Sequence, residues 1–250
     1  MARQLSPFPF KGTINGISFY ESQDGFMARK KGGVSADRIK TDPRFKITRL
    51  NGLEFGAAGK AGKLFRSAFL PEISKAADNR IIGRVAQSMV KVLQTDAIHG
   101  KGERTVSNGN LLLLEGFQFN KNIVLNTVLK EPFIVTVDRP TGQLTVAFPS
   151  FVPDAKVSAP TGTTHYRIMT AAAEIDFVTG ATVINRQVTA NLPWDDNPAA
   201  ALSLQQQVTP NSTHPLFLVL GIEFMIITNG QIITQSVGLN ALQLIKVSVV

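Results

Sequence analysis

Few side chains in this sequence have the types and spacing that acid–base chemistry requires. Asp195 and Asp196, in the segment LPWDDNP, form the only adjacent pair of carboxylates. Such a pair could act in glycoside hydrolysis or bind calcium. Aspartates between Pro193 and Pro198 also favour a turn, because their side chains accept hydrogen bonds from nearby backbone N–H groups. We predict a turn between strands, anchored by Trp194, and keep an enzyme or carbohydrate-binding loop as the alternative.

Other signatures of catalysis or metal binding are absent from the sequence. The three histidines, His99, His165 and His214, are far apart, and no predicted helix places two of them at metal-ligand spacing. The chain has no cysteine, which excludes disulfides, thiolate catalysis and cysteine-ligated metals. No serine lies in a G-x-S-x-G motif. The sequence therefore predicts a protein that is not an enzyme and has no metal or cofactor.

The run GAAGKAGK, residues 56–63, superficially resembles a phosphate-binding loop. That motif requires Ser or Thr after its lysine, whereas Leu64 follows Lys63 here. Gly52, Gly56, Gly59 and Gly62 recur at steps of three and four residues, which is typical of a helix with a smooth face or of two short helices. We predict helix packing here, with a phosphate loop as the alternative.

Positive charge is concentrated in the first part of the chain, although the whole chain carries only +8. Residues 1–105 hold 19 Lys and Arg against 9 Asp and Glu, while residues 106–250 hold 7 against 9. Within residues 29–66 the counts are 11 and 3. This patch could contact nucleic-acid phosphates, or it could steer the chain towards the acidic half of a neighbouring subunit. The predicted basic patch consists of Arg29, Lys30, Lys31, Arg38, Lys40, Arg44, Lys46 and Arg49.

The segment 10–33, FKGTINGISFYESQDGFMARKKGG, predicts a β-hairpin that turns at Gln23, Asp24 and Gly25, with Gly16 interrupting its first strand. Residues 1–9 contain two prolines and predict a flexible or extended lead. Because an isolated two-stranded hairpin is only marginally stable, we expect it to pack against the body of the protein or a neighbour. The predicted subunit-contact residues are Phe10, Ile14, Ile17, Phe19, Tyr20 and Phe26.

A helical segment follows the hairpin. Ser35 is a good N-cap for a short helix to Lys40, and Asp42-Pro43 favours the start of the next helix. Apolar residues at steps of three and four predict a further helix over residues 72–94. Residues 97–110 lack such periodicity and predict a loop.

The pattern of the remaining chain is that of β-strands. We predict strands at 111–119, 123–129, 166–177, 182–192, 202–208 and 242–249, and hairpins at 133–148 and 216–236, the second turning at Asn229-Gly230. This density of strands favours an antiparallel immunoglobulin-like β-sandwich, with a closed barrel as the alternative. The predicted fold class is α+β, divided into an N-terminal arm (1–33), a basic helical segment (34–105) and a β-sandwich domain (106–250).

No segment has the length and composition of a membrane span or a secretory signal. The longest apolar run, residues 216–227, has twelve residues, includes Glu223 and predicts a buried strand. The N-terminal residues MARQLSPFPFKG lack an apolar stretch. We expect cytoplasmic synthesis and leave the final location open, including assembly on a cell surface or outside the cell.

Three runs of the sequence resemble an uncharacterised family of Bacteroidota proteins. They are GTINGISFYESQDGFMARKKGGVSADRIKTDPRF, EFGAAGKAGKLFR and FLVLGIEFMIITNGQ. The resemblance covers most of the chain. It implies a glycine-punctuated N-terminal hairpin that ends in an Arg-Lys-Lys-Gly-Gly-like element, then a helical segment and a β-rich C-terminal half. It implies no activity.

These features together predict a structural protein that self-associates. The N-terminal arm would add to an exposed sheet of the next subunit by β-augmentation, repeated head to tail into a ring or a filament. The alternative is a nucleic-acid-binding accessory protein that uses residues 29–66. The expected partner is therefore a second copy of the chain, with nucleic acid as the second choice.

Overall fold

The structure, a computed structural model, describes residues 2–30 and 32–250. The chain divides into two compact units, Met1–Arg49 and Leu50–Val250, which we call the N-terminal unit and the C-terminal unit. The sequence predicted three segments instead. Lys31, a member of the predicted basic patch, lies outside the described residues.

The N-terminal unit contains a four-stranded antiparallel sheet where the sequence predicted one hairpin. Its strands are β1 (Ala2–Arg3), β2 (Gly12–Ile14), β3 (Ile17–Ser22) and β4 (Gly25–Lys30), in the spatial order β1-β4-β3-β2. The additional hairpin turns at Asn15 and Gly16, whose φ angles of 48° and 76° suit a tight two-residue turn. Gly16 therefore joins two strands rather than interrupting one. The predicted lead contributes β1, which pairs with β4.

Helix α1 (Ala36–Thr41) follows, with the Ser35 hydroxyl accepting from the Arg38 N–H at 3.3 Å as the predicted N-cap. A 3-10 turn (Pro43–Phe45) then leads into α2 (Lys46–Ala68). Because residues 56–63 lie inside this continuous helix, the phosphate-loop alternative is wrong. A smooth face is present at Gly62, where an added Cβ would lie 3.2 Å from Val85 Cγ1.

The other helices of the described chain are short or moderate in length: α3 (Leu70–Ala76), α4 (Ile81–Gln94), α5 (Leu125–Val128) and α6 (Pro153–Lys156). The helix predicted over 72–94 is broken between α3 and α4, where the Asp78 carboxylate accepts from the Arg80 N–H at 2.8 Å. No helix in residues 2–30 and 32–250 is long and apolar enough to cross a membrane.

Two antiparallel sheets form the rest of the C-terminal unit. The strands are β5 (Ile134–Asp138), β6 (Gln143–Phe148), β7 (His165–Ile175), β8 (Thr182–Val188), β9 (Leu192–Pro193), β10 (Leu202–Gln207), β11 (Leu216–Thr228), β12 (Gln231–Thr234) and β13 (Ala241–Ser248). In the six-stranded sheet, β11 and β7 are central, with β12 and β13 beside β11 and with β8 and β9 beside β7. The three-stranded sheet has the order β10-β6-β5.

The six-stranded sheet is covered on both faces. Phe217 and Val219 of β11 share one core with residues of α2, α3 and α4, whereas Leu218 and Leu220 share the other core with β6 and β10. The unit therefore has a helical layer, a large sheet and a small sheet. The α+β class with mostly antiparallel strands is confirmed, but an immunoglobulin-like sandwich is not.

The strands predicted at 111–119 and 123–129 are wrong. Leu111–Leu114 form a 3-10 helix capped by the Asn110 side chain, and α5 occupies most of the second segment. Residues 116–119 nevertheless run along the outer edge of β13, where the Gly116 N–H donates to the Leu244 carbonyl at 2.8 Å. An apolar run bordered by backbone pairing is easily mistaken for a strand.

Candidate interaction surface

The register of the N-terminal sheet determines which predicted contact residues share a face. Ile14 lies opposite Ile17, and Glu21 lies opposite Phe26. Since side chains alternate along a strand, Ile17, Phe19 and Glu21 project from one face. The Phe10 ring packs edge-on against the Phe19 ring at 6.2 Å. We call the group of Phe10, Ile14, Ile17, Phe19 and Phe26 the apolar face.

Tyr20, the sixth predicted contact residue, lies on the opposite face. It pairs with Met27, and the Arg29 guanidinium lies 5.4 Å from the centre of its ring. The structure thus brings five of the six predicted residues together and separates the sixth. The separation follows from the strand period of two, which the sequence already contains.

The apolar face is not buried. None of the described residues of the N-terminal unit belongs to the buried class, and the exposed fractions of Phe10, Ile14 and Ile17 are 57%, 56% and 40%. Charge borders this face, because the Lys11 ammonium lies 2.5 Å from Glu21 Oε2 and 5.6 Å from the centre of the Phe26 ring. Sheets of this kind ordinarily rest an apolar face on a core.

Three arginines of the predicted basic patch hold the connection between α1 and α2. Arg49 Nη1 donates to the carbonyls of Ile39 and Asp42 at 2.7 and 3.0 Å. The Asp42 carboxylate accepts from Arg38 Nε at 3.3 Å and from Arg44 Nε at 3.4 Å. These guanidinium groups are therefore engaged within the unit.

The remaining described members of the patch are more available. Lys30, Lys40 and Lys46 are exposed, and no carboxylate in the described chain lies within 4.0 Å of their ammonium groups. They sit on β4, on α1 and at the start of α2, so they are distributed along the unit. This arrangement can supply a diffuse positive potential that attracts an acidic surface.

The Trp194 loop forms a bend, and its polar groups are used locally. Trp194 Nε1 donates to the Val157 carbonyl at 2.9 Å, and Asp195 Oδ1 accepts from the Asn197 N–H at 3.0 Å. Nowhere in the described chain do three or more His, Asp or Glu side chains gather closely enough to hold a metal ion. The loop borders a cavity of about 250 Å³.

The one close histidine–carboxylate pair among the predicted candidates has a structural environment. His99 Nδ1 lies 2.8 Å from Asp96 Oδ2, and the same carboxylate accepts from the N–H groups of Ile98 and Thr105 at 2.8 and 2.9 Å. Burial raises the pKa of Asp96, but these hydrogen bonds together lower the pKa by more than burial raises it. The pKa of Asp96 therefore lies well below the ordinary value. The carboxylate fixes the loop after α4. His165 Nδ1 lies 3.0 Å from Thr164 Oγ1.

A second cavity of the C-terminal unit offers no catalytic set either. It is an open groove of about 450 Å³ between α2, residues 105–107 and the turn that contains Phe177 and Val178. Lys60 is the one charged residue among those that line it. The groove could accommodate apolar groups but contains no acid–base pair.

Comparisons with protein-family models, with curated proteins and with solved structures find no match to this chain. The geometry of the chain itself therefore identifies the candidate site. On that basis the apolar face of the N-terminal sheet is the strongest candidate, because five apolar side chains converge there without burial.

Proposed function

We propose that this chain is a non-enzymatic assembly protein that self-associates through the apolar face of its N-terminal sheet, forming a ring or a filament. One observation carries the proposal. The N-terminal unit presents a four-stranded sheet with a clustered aromatic and aliphatic face, and none of its described residues is buried. A partner surface that covered this face would provide the burial that the unit lacks.

The expected energetics favour association that depends on concentration. Complete burial of a Phe or Ile side chain contributes roughly 1.5–3 kcal/mol. The five side chains are already partly covered, so together they would contribute about half of the full sum, roughly 4–7 kcal/mol. That gain is of the same order as the low end of the cost of association, about 4 kcal/mol. We therefore expect monomers at low concentration and assemblies at higher concentration.

Charge supports a contact between unlike surfaces. The N-terminal unit carries 10 Lys and Arg against 4 Asp and Glu, whereas residues 106–250 carry 7 against 9. A positive unit approaching the more acidic part of a second copy would be steered into place. A contact between two different surfaces repeats head to tail, and it closes into a ring or propagates as a filament.

The edge of the N-terminal sheet contributes less than its face in this proposal. The outer strand β2 has three residues and β1 has two, which limits the backbone pairing that β-augmentation could add. Nucleic-acid binding by residues 29–66 is the less favoured function, because Arg38, Arg44 and Arg49 are engaged in contacts within the unit.

The proposal is tested by measuring the mass of the full chain with size-exclusion chromatography and light scattering at increasing concentration, together with negative-stain microscopy. We expect a mass that rises above the 27.1 kDa of one chain and particles with ring or filament form. A mass of one chain at every concentration would overturn the proposal. Added duplex DNA that shifts the mass at low salt would instead favour the nucleic-acid function.

A further inference from the structure

The cavity beside the Trp194 loop has fixed apolar walls. Residues lining it include Pro153, Pro193, Pro198, Ala200 and Leu202. Phe151 and Ala199 exchange two backbone hydrogen bonds, at 2.8 and 3.3 Å, which hold the chain on one side of the cavity. The three prolines and this backbone pairing restrict the conformation of the residues that line the cavity.

The size of the cavity suits one side chain of a partner protein. Its volume of about 250 Å³ is below the roughly 300–1,000 Å³ of typical small-molecule sites. Its lining is mainly apolar, so a cofactor or a polar metabolite would find few partners. An aromatic or large aliphatic side chain fits both the volume and the chemistry.

One carboxylate that lacks a cationic partner lines this cavity, and two more neighbour it along the backbone. Asp195 lines it, the Asp154 N–H donates to the Asp195 carbonyl at 3.1 Å, and Asp196 follows in the chain. In the described chain no Lys, Arg or His nitrogen lies within 4.0 Å of these three carboxylates. Lys156, close by in sequence, is paired with Glu131 at 3.2 Å. We call this apolar cavity with its carboxylates the acidic pocket.

Phe8 has the properties of an occupant for the acidic pocket. Its exposed fraction is 80%, and it lies between Pro7 and Pro9 in the segment that precedes β2. The Gln4 side chain accepts from the Phe10 N–H at 2.9 Å and donates to the Phe10 carbonyl at 3.2 Å, which closes the segment into a loop and reduces the entropy lost on binding. The unit that carries Phe8 has the net positive charge that carboxylates attract.

We propose that Phe8 of a second copy of this chain inserts into the acidic pocket, while the carboxylates face the cations of the inserted unit. The inference rests on the proposed function and names the acceptor surface of that assembly. The donor is in the N-terminal unit and the acceptor is in the C-terminal unit. Each copy can thus give one contact and receive another.

A mixing experiment with two full-length variants tests the inference. Phe8→Ala removes the donor side chain and keeps the pocket, whereas Ala200→Trp fills the pocket and keeps the donor. Each variant alone should assemble less than the unmodified chain. A mixture of the two should contain more pairs of about twice 27.1 kDa than either variant alone, because an intact donor then meets an intact pocket. A mixture whose masses equal the sum of the separate variants overturns the inference.

Two further variants keep the test decisive. Leu5→Ala is the matched control for Phe8→Ala, since Leu5 is 87% exposed in the same segment. It should assemble as the unmodified chain does. If Ala200→Trp fails to fold by circular dichroism, the double variant Asp154→Asn with Asp196→Asn replaces it. That variant should weaken assembly at low salt, and unchanged assembly overturns the inference.

The outcomes separate this inference from the proposed function. An unmodified chain that stays monomeric removes both. An unmodified chain that assembles, is disrupted by a change in the apolar face and is unaffected by either pocket variant supports the proposed function and overturns the acidic pocket as the acceptor.

Discussion

Ile14 lies directly opposite Ile17 across the Asn15–Gly16 turn, with both side chains on the same face of the N-terminal sheet. This pair extends the apolar face onto the edge strand β2. Because the turn places β2 beside β3, it converts a hairpin of two strands into a sheet with a continuous apolar surface. The proposed assembly depends on that surface.

We expect Arg84→Met to lower the free energy of unfolding of the C-terminal unit by about 2–4 kcal/mol. Arg84 donates to the Asp78 carboxylate and to the carbonyls of Gln118 and Phe119, each at 2.6 Å. Its removal takes a charged donor from each of these acceptors, although the Asp78 carboxylate keeps the Arg80 and Lys121 N–H groups and the Phe119 carbonyl keeps the Asp78 N–H. Arg84→Lys should be intermediate because lysine lacks the planar fork.

Urea unfolding measures this effect. Arg80→Met is the control, because Arg80 is exposed and its change should stay within about 0.5 kcal/mol. Equal stability of the Arg84 and Arg80 variants would show that the guanidinium contacts contribute nothing.

Tyr166→Phe should raise the free energy of unfolding by about 0.5–2 kcal/mol. Tyr166 is fully buried, and its hydroxyl has no hydrogen-bond partner among residues 2–30 and 32–250. Removing an unpaired buried hydroxyl relieves its desolvation cost. Thermal unfolding measures the change, and a lower melting temperature for the variant would indicate a partner for the hydroxyl.

The same residue predicts how stability falls in alkali. Burial, assisted by the charge of Asp195, raises the pKa of Tyr166 to about 12 from its usual 10.0. The pKa of Tyr166 is higher in the folded chain than in the unfolded chain. The free energy of unfolding is therefore at its full value below pH 10 and falls as the pH rises towards 12. The chain has two tyrosines, so absorbance at alkaline pH in a Tyr20→Phe background reports Tyr166 alone. A titration midpoint near pH 10 for Tyr166 would contradict the burial of its hydroxyl.

Replacing glycine by alanine should stabilise the protein at some positions and destabilise it at another. Gly56 and Gly59 lie within α2 with no neighbouring atom within 4 Å of an added Cβ, so Gly→Ala should stabilise by about 0.5–1 kcal/mol at each position. At Gly109 an added Cβ would lie 2.3 Å from the Val92 carbonyl oxygen, so Gly109→Ala should destabilise by more than about 2 kcal/mol. Calorimetry of the three variants checks both signs.

Turn chemistry and strand period made most of the β-rich half predictable. Asn229-Gly230 correctly predicts its hairpin, whereas the apolar residues on both sides of Asn15-Gly16 favour a single interrupted strand over the hairpin that forms there. The apolar run of β11 correctly predicted a buried strand. A run without alternation is typical of a strand covered on both faces, and the helical layer and the small sheet provide that cover.

The breaks that sequence reasoning missed depend on distant parts of the chain. The interruption after α3 is held by Asp78, whose carboxylate accepts from the Lys121 N–H at 2.8 Å as well as from Arg84. Local helix periodicity contains no information about Lys121. The acidic pocket likewise requires Pro153 and Leu202 to meet, although they are far apart in sequence.

Sedimentation velocity of Ile14→Lys and Thr13→Lys tests the central claim most directly. Neighbouring residues on β2 receive the same charge, but Ile14 lies on the apolar face and Thr13 on the opposite face. We predict that Ile14→Lys remains at the mass of one chain at concentrations where Thr13→Lys and the unmodified chain assemble. Equal assembly by both variants would contradict the role of the apolar face.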